Sequence, residues 1–126
     1  MSLLTGKVNK PSTHAQPQSR KELEQLIYEH IAELNPRPGQ EVDFNWIDIS
    51  EVDDLSGLFA NVDFNPVIDK WHVSNVKDMS GMFERCPFDG KNGDISNWKV
   101  SKGTNMRWMF ADCPLENNPP KWYKDK

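Results

Sequence analysis

Two cysteines, three histidines and a run of aspartates are the residues of this 126-residue chain whose types could do chemistry. A nucleophilic cysteine needs a base within reach and a setting that favours the thiolate. Cys86 and Cys113 occupy the same place in two successive sequence repeats, no histidine shares their offset, and the first repeat has Val62 there. Stacked neighbours could approach the roughly 4.4–6.8 Å Cα separation of a disulfide. Valine in the equivalent place instead favours a small buried apolar slot and free thiols. His14, His30 and His72 cluster with neither cysteine, so no zinc site is expected. Asp43, Asp48, Asp53, Asp54 and Asp63 could offer oxygens to calcium, but their spacing lacks the glycine turn and the terminal bidentate glutamate of a calcium loop. They read as a solvated acidic face. No catalytic residue, metal or cofactor is therefore assigned, and the expectation is a protein that is not an enzyme; a polar cleft around His72 is what would reopen the question.

The elements that position these residues follow from pattern and composition. Mean hydropathy is -0.74 and 37% of residues are hydrophobic, which suits one domain with a modest core. No apolar run approaches the roughly 20 residues of a membrane span, and the first residues lack the h-region of a secretory signal. As given, the chain reads as cytoplasmic, or as surface-exposed or secreted if a leader has been removed. Net charge is -4, but residues 41–90 hold eleven Asp/Glu against three Lys/Arg, and residues 91–126 hold seven Lys/Arg against four Asp/Glu. Phosphate contacts need clustered Lys/Arg, so an acidic middle argues against a nucleic-acid partner.

Residues 1–18 are polar, lack an apolar period and read as a flexible arm. Ser19 and Glu22 then match a capping box, Leu23, Leu26, Ile27, Ile31 and Leu34 form one apolar stripe, and Asn35-Pro36 ends the pattern. An amphipathic helix over 19–34 is expected to lay this stripe on the rest of the chain.

That remainder is a repeat. Aligning Ser50, Ser74 and Ser101 superimposes Ile47, Trp71 and Trp98, then Ile49, Val73 and Val100, then Asp54, Asp78 and Asn105. Leu55, Met79 and Met106 follow, as do the pairs Leu58-Phe59, Met82-Phe83 and Met109-Phe110. The alternation in Trp71-His72-Val73 predicts a short strand, and the spacing behind Asp54, Asp78 and Asn105 predicts a short helix with those residues as N-caps. The expected fold is α/β: a short leucine-rich-repeat-like solenoid of about three strand-turn-short-helix coils, over 42–66, 67–92 and 93–117. The helix of 19–34 caps it, and a partial coil over 118–126 terminates it, all within one domain spanning 19–126.

The units DKWHVSNVKDMSGMFERCPF and DISNWKVSKGTNMRWMFADCPL resemble the BspA-like leucine-rich-repeat family of bacterial proteins, whose unit runs approximately D-I-S-x-W-x-V-S-x-V-x-x-M-x-x-M-F. The resemblance covers roughly residues 42–123 and implies a repeat fold with a bias toward protein binding. No catalytic residue comes with it.

If Trp71, Val73, Trp98 and Val100 face inward, their neighbours face out. The candidate partner-binding residues are then Trp46, Asp48, Lys70, His72, Asn97, Lys99, Trp108 and Tyr123. Trp46 stands where later units have Lys70 and Asn97, and is either an anchor for a partner or a lid folded onto the helix, the packing reading being favoured. Trp108 stands where earlier units have Gly57 and Gly81, and is expected to pack on Trp122 and Tyr123 or else to be exposed. The leading functional expectation is a protein–protein interaction module using this outward face or the acidic flank. The alternative is a mobile-element-encoded inhibitor or decoy acting on a basic partner by acidic mimicry. The default oligomeric state is a monomer.

Overall fold

Ser19 starts the one α-helix among the described residues, which in this computed structural model are 14–123. Its hydroxyl accepts the Glu22 N–H at 3.2 Å, and helix α1 runs over Arg20–Leu34. The second half of the capping box differs from expectation: the Glu22 carboxylate accepts the N–H of Gln18, at 2.8 Å, one residue before Ser19. Asn35 closes α1 in the left-handed conformation (φ 50, ψ 61), returning its N–H to the Ile31 carbonyl at 2.8 Å. Leu23 and Ile27 are buried, with Leu26, Ile31 and Leu34 packed against the same core.

Residues 14–18 were expected to lie in a flexible arm, yet they are docked. Ala15 donates to the Trp46 carbonyl at 3.3 Å, accepts from the Asp48 N–H at 2.8 Å and forms an isolated parallel bridge with Ile47. Pro17 is buried. The rest of the expected arm, residues 1–13, and the last three residues of the expected terminator, 124–126, lie outside the described residues.

The expected three-coil leucine-rich-repeat-like solenoid is not the observed fold. Among the described residues, regular structure beyond α1 is limited to β1 (Glu41–Asp43) and β2 (Asn65–Val67). They pair in parallel with Glu41 opposite Asn65, Val42 opposite Pro66 and Asp43 opposite Val67. The remainder is turns and irregular chain. Both halves of the expected repeat fail for identifiable reasons. In the segments read as strands, the N–H groups of Ile47, Trp71 and Trp98 bond back to Phe44, Ile68 and Ile95 of their own turns, at 3.0, 3.0 and 3.1 Å, so no ladder forms between units there. In the segments read as short helices, left-handed residues recur four apart, at Gly57 and Asn61, Gly81 and Arg85, and Trp108 and Asp112. A right-handed helix cannot continue through a positive φ.

What forms instead is a turn with Asx chemistry at its head. Asp78 accepts both the N–H and the hydroxyl of Ser80, at 2.9 and 2.7 Å, and Asp54 does the same with Ser56. These turns are tied in register between units. The N–H groups of Leu55, Gly57, Phe59 and Asn61 donate to the carbonyls of Asp78, Ser80, Met82 and Glu84 at 2.8–2.9 Å. Those of Met79, Gly81, Phe83 and Arg85 donate to Asn105, Arg107, Met109 and Ala111 at 2.7–2.9 Å. The pattern brings the repeated phenylalanines over one another: Phe59 and Phe83 stack with centroids 6.1 Å apart, and Phe83 and Phe110 at 5.6 Å. They form one core with Phe44, Phe88 and the repeated methionines.

Candidate interaction groove

Burial alternates in the segments where strands were expected, even though strand hydrogen bonding is absent. Trp71 and Val73 are buried around an exposed His72, and Trp98 is buried beside an exposed Lys99. Lys70 and His72 from one unit and Asn97 and Lys99 from the next therefore line one groove of about 520 Å³, floored by Trp71 and Trp98. A cleft of similar size, about 530 Å³, adjoins it at Asn97 and opens between Asp89-Gly90 and Pro119-Pro120.

The floor is held by indole hydrogen bonds that take the place of missing backbone ones. Trp71 Nε1 donates to the Phe44 carbonyl and Trp122 Nε1 to the Ile95 carbonyl, each at 2.9 Å and each reaching back to the preceding unit. Trp98, between them, stacks on Trp122 with centroids 5.9 Å apart, but its buried Nε1 has no partner. Serines 24 and 27 residues apart mark the units, so the step to Trp98 carries three extra residues around Gly90-Lys91-Asn92. Gly93, just after them, passes so close to the second unit that a Cβ would meet Val67 Cγ1 at 2.9 Å.

The groove's walls are polar, with Lys70 and Lys99 against Asp69. Lys70 is fixed at its backbone, its N–H donating to Asn45 Oδ1 at 2.9 Å, while Asn45 Nδ2 donates to Asp69 at 3.0 Å. Lys70 Nζ stands 3.8 Å from Asp69. Asp48 is exposed near His72, and its carboxyl is held below the usual carboxylate range by the Ser50 N–H at 2.9 Å, with smaller help from the Ser50 hydroxyl, Gln16 and His72. Among the described residues, no hydroxyl or thiol hydrogen-bonds to His72, and no three His, Cys, Asp or Glu side chains are grouped as metal ligands.

Other expected site residues fall away from this groove. Trp46 is only 6% exposed, its Nε1 donating to the Asp43 carbonyl at 2.9 Å and its ring meeting His30 edge-on at 5.1 Å, so the lid reading is the one realised. Trp108 does not pack on Trp122 and Tyr123; it is 66% exposed and holds φ at 58. Tyr123 is half-buried, edge-on to Phe110 at 5.1 Å. Cys86 and Cys113 are free and buried, their Sγ atoms turned to the carbonyls of Phe64 and Phe88. Burial pushes the thiols up to about 12 and about 11, well out of the range of a working nucleophile.

The signals that sequence reading missed are Tyr28, 73% exposed on α1, and the left-handed position occupied by Trp108. The second was legible in part, because Gly57 and Gly81 stand third after Asp54 and Asp78, where turn chemistry calls for a positive φ.

Among the described residues, one helix, a short parallel pair and turns tied in register define the class of this molecule: a small, mostly irregular domain with an aromatic-floored groove. The chain belongs to the family described as Mycoplasma protein of unknown function, DUF285, whose model matches residues 27–125. No curated protein and no solved structure matches it. No helix among the described residues is long and apolar enough to cross a membrane.

Proposed function

We propose that this chain is a non-enzymatic protein-interaction module of the BspA-like kind, and that it docks a partner in the groove floored by Trp71 and Trp98. The observation that carries this reading is convergence: Lys70, His72, Asn97 and Lys99, from two sequence units, line one concavity over two large aromatic rings. Aromatic floors with a polar, charged rim are the composition of protein-binding hot spots. Lys70 and Lys99 against Asp69 suit an acidic segment of the partner. The acidic-mimicry reading has less support, because Asp43, Asp48, Asp54, Asp78, Asp89 and Asp94 each accept the N–H two residues ahead. Each of these carboxylates is thus engaged in its own turn.

Photo-cross-linking in the native host tests the proposal. A photoreactive residue at Asn97 is expected to capture one discrete protein that a probe at exposed Lys21 on α1 does not, and capture should disappear in Lys70→Glu/Lys99→Glu. Capture at both positions alike, or indifference to the charge reversal, overturns the reading.

A further inference from the structure

The register that ties the units together ends on backbone groups without partners among the described residues, donors at one edge, where Met106 and Phe110 are themselves buried and Trp108 is exposed, and acceptors at the other. In the third unit the N–H groups of Met106, Trp108 and Phe110, equivalent to those that donate from Leu55 to Phe59 and from Met79 to Phe83, have no acceptor among the described residues. The Asp112 N–H that would complete the set goes to Glu116 Oε1 at 3.2 Å. In the first unit the carbonyls of Ser56, Leu58 and Ala60, equivalent to the accepting Ser80, Met82 and Glu84, receive no donor among the described residues. The Asp54 carbonyl meets Arg20 Nη1 at 3.5 Å. Unpaired ladder edges of this kind template pairing with a further chain.

Two further observations match the same edges. A groove of about 360 Å³ separates α1 from the first unit alongside Gly57, bordered by Ile27, Tyr28, Ile31, Leu58, Val62 and Phe64. The opposite edge carries an exposed tryptophan, Trp108, at the position that follows the Arg107 carbonyl in the ladder. Residues 41–66 hold seven carboxylates and no Lys or Arg, whereas residues 93–117 balance Lys99, Lys102 and Arg107 against Asp94, Asp112 and Glu116.

We propose that copies of this chain associate head to tail, the Trp108 edge of one adding to the Ser56–Ala60 edge of the next, with the Trp108 ring entering the groove beside Tyr28. In the register set by the existing ladder, the N–H groups of Met106, Trp108 and Phe110 continue onto the next copy, and that of Trp108 meets the Ser56 carbonyl. Such a contact is heterologous and does not close on itself, so it grows beyond a dimer. It uses none of the side chains of the Trp71 and Trp98 groove.

Sedimentation velocity over a concentration series reads this directly. The average mass of the intact chain is expected to rise without levelling at a dimer, and the amides of Met106, Trp108 and Phe110 to gain hydrogen-exchange protection as it rises. Trp108→Gly suits the left-handed backbone and removes the ring; Tyr28→Arg alters an exposed side chain at the receiving groove. Each is expected to weaken association by about tenfold or more. Mixed together, the two variants should yield a one-to-one heterodimer and nothing larger, because each retains the edge that the other lacks. Lys70→Glu/Lys99→Glu should assemble like the unaltered chain, which separates this contact from the proposed docking groove. A chain that stays monomeric at ~1 mM, a mass that levels at a dimer, or a mixture of variants that does not pair overturns the proposal.

Discussion

Trp108 is the residue at which local backbone preference and side-chain identity conflict most. Its φ of 58 matches the 59 and 61 of Gly57 and Gly81, so the turn imposes a conformation that costs a residue bearing a Cβ roughly 1–2 kcal/mol. Trp108→Gly is therefore expected to raise the denaturation midpoint by an amount worth about 1 kcal/mol. Gly81→Ala should lower it, because it introduces the same strain and sets a Cβ 3.3 Å from Glu84 Oε1. Chemical denaturation of the two variants beside the parent checks both signs.

At the scale of elements, the Asx turns do the work that strands and short helices were expected to do. Asp78→Ala removes the acceptor of both Ser80 bonds and should cost about 1 kcal/mol, comparable to losing a helix cap, as read from the urea midpoint. Burial alone would raise the carboxyls of Asp54 and Asp89, but hydrogen bonds outweigh it: from the hydroxyl and N–H of Ser56 with the charge of Arg20 at Asp54, and chiefly from the Lys91 N–H and Asn65 at Asp89. Both therefore lie below their unfolded value of about 3.9. Stability from such groups is fully present above that value and is lost as pH falls through the folded values. Denaturation midpoints should hold down to about pH 5 and then fall, and Asp54→Asn/Asp89→Asn should flatten that fall.

The helix was legible because Ser19, its apolar stripe and Asn35-Pro36 all act locally. The candidate groove was legible through its side chains, since alternation around His72 and Lys99 reports burial. Strand pairing was not, because alternation says nothing about where the N–H groups of Trp71 and Trp98 go, and they go to their own turns. The i, i+3, i+4 spacing of Met79, Met82 and Phe83 suits a helix equally well, and only the glycine at 81 marks the turn that replaces it.

At the scale of the whole molecule, the described residues share one continuous core in which each unit lends a face to the next. Phe83 is at its centre, stacked on Phe59, on Phe110 and, at 4.2 Å, on Phe88. Phe83→Ala should cost roughly 3–5 kcal/mol, a large share of the roughly 5–15 kcal/mol that holds a domain folded. Calorimetry and far-UV dichroism should show α1 melting with the rest, because Leu23 and Ile27 belong to the same core. The division of the five tryptophans between that core and the surface has an optical consequence. Trp46, Trp71 and Trp98 are buried and Trp122 is half-buried, which leaves Trp108 as the strongly solvated indole. The native emission spectrum is thus a sum of sheltered, blue-shifted indoles and one red-edge component open to iodide quenching, so the edge residue is its own fluorescent reporter of whatever covers it.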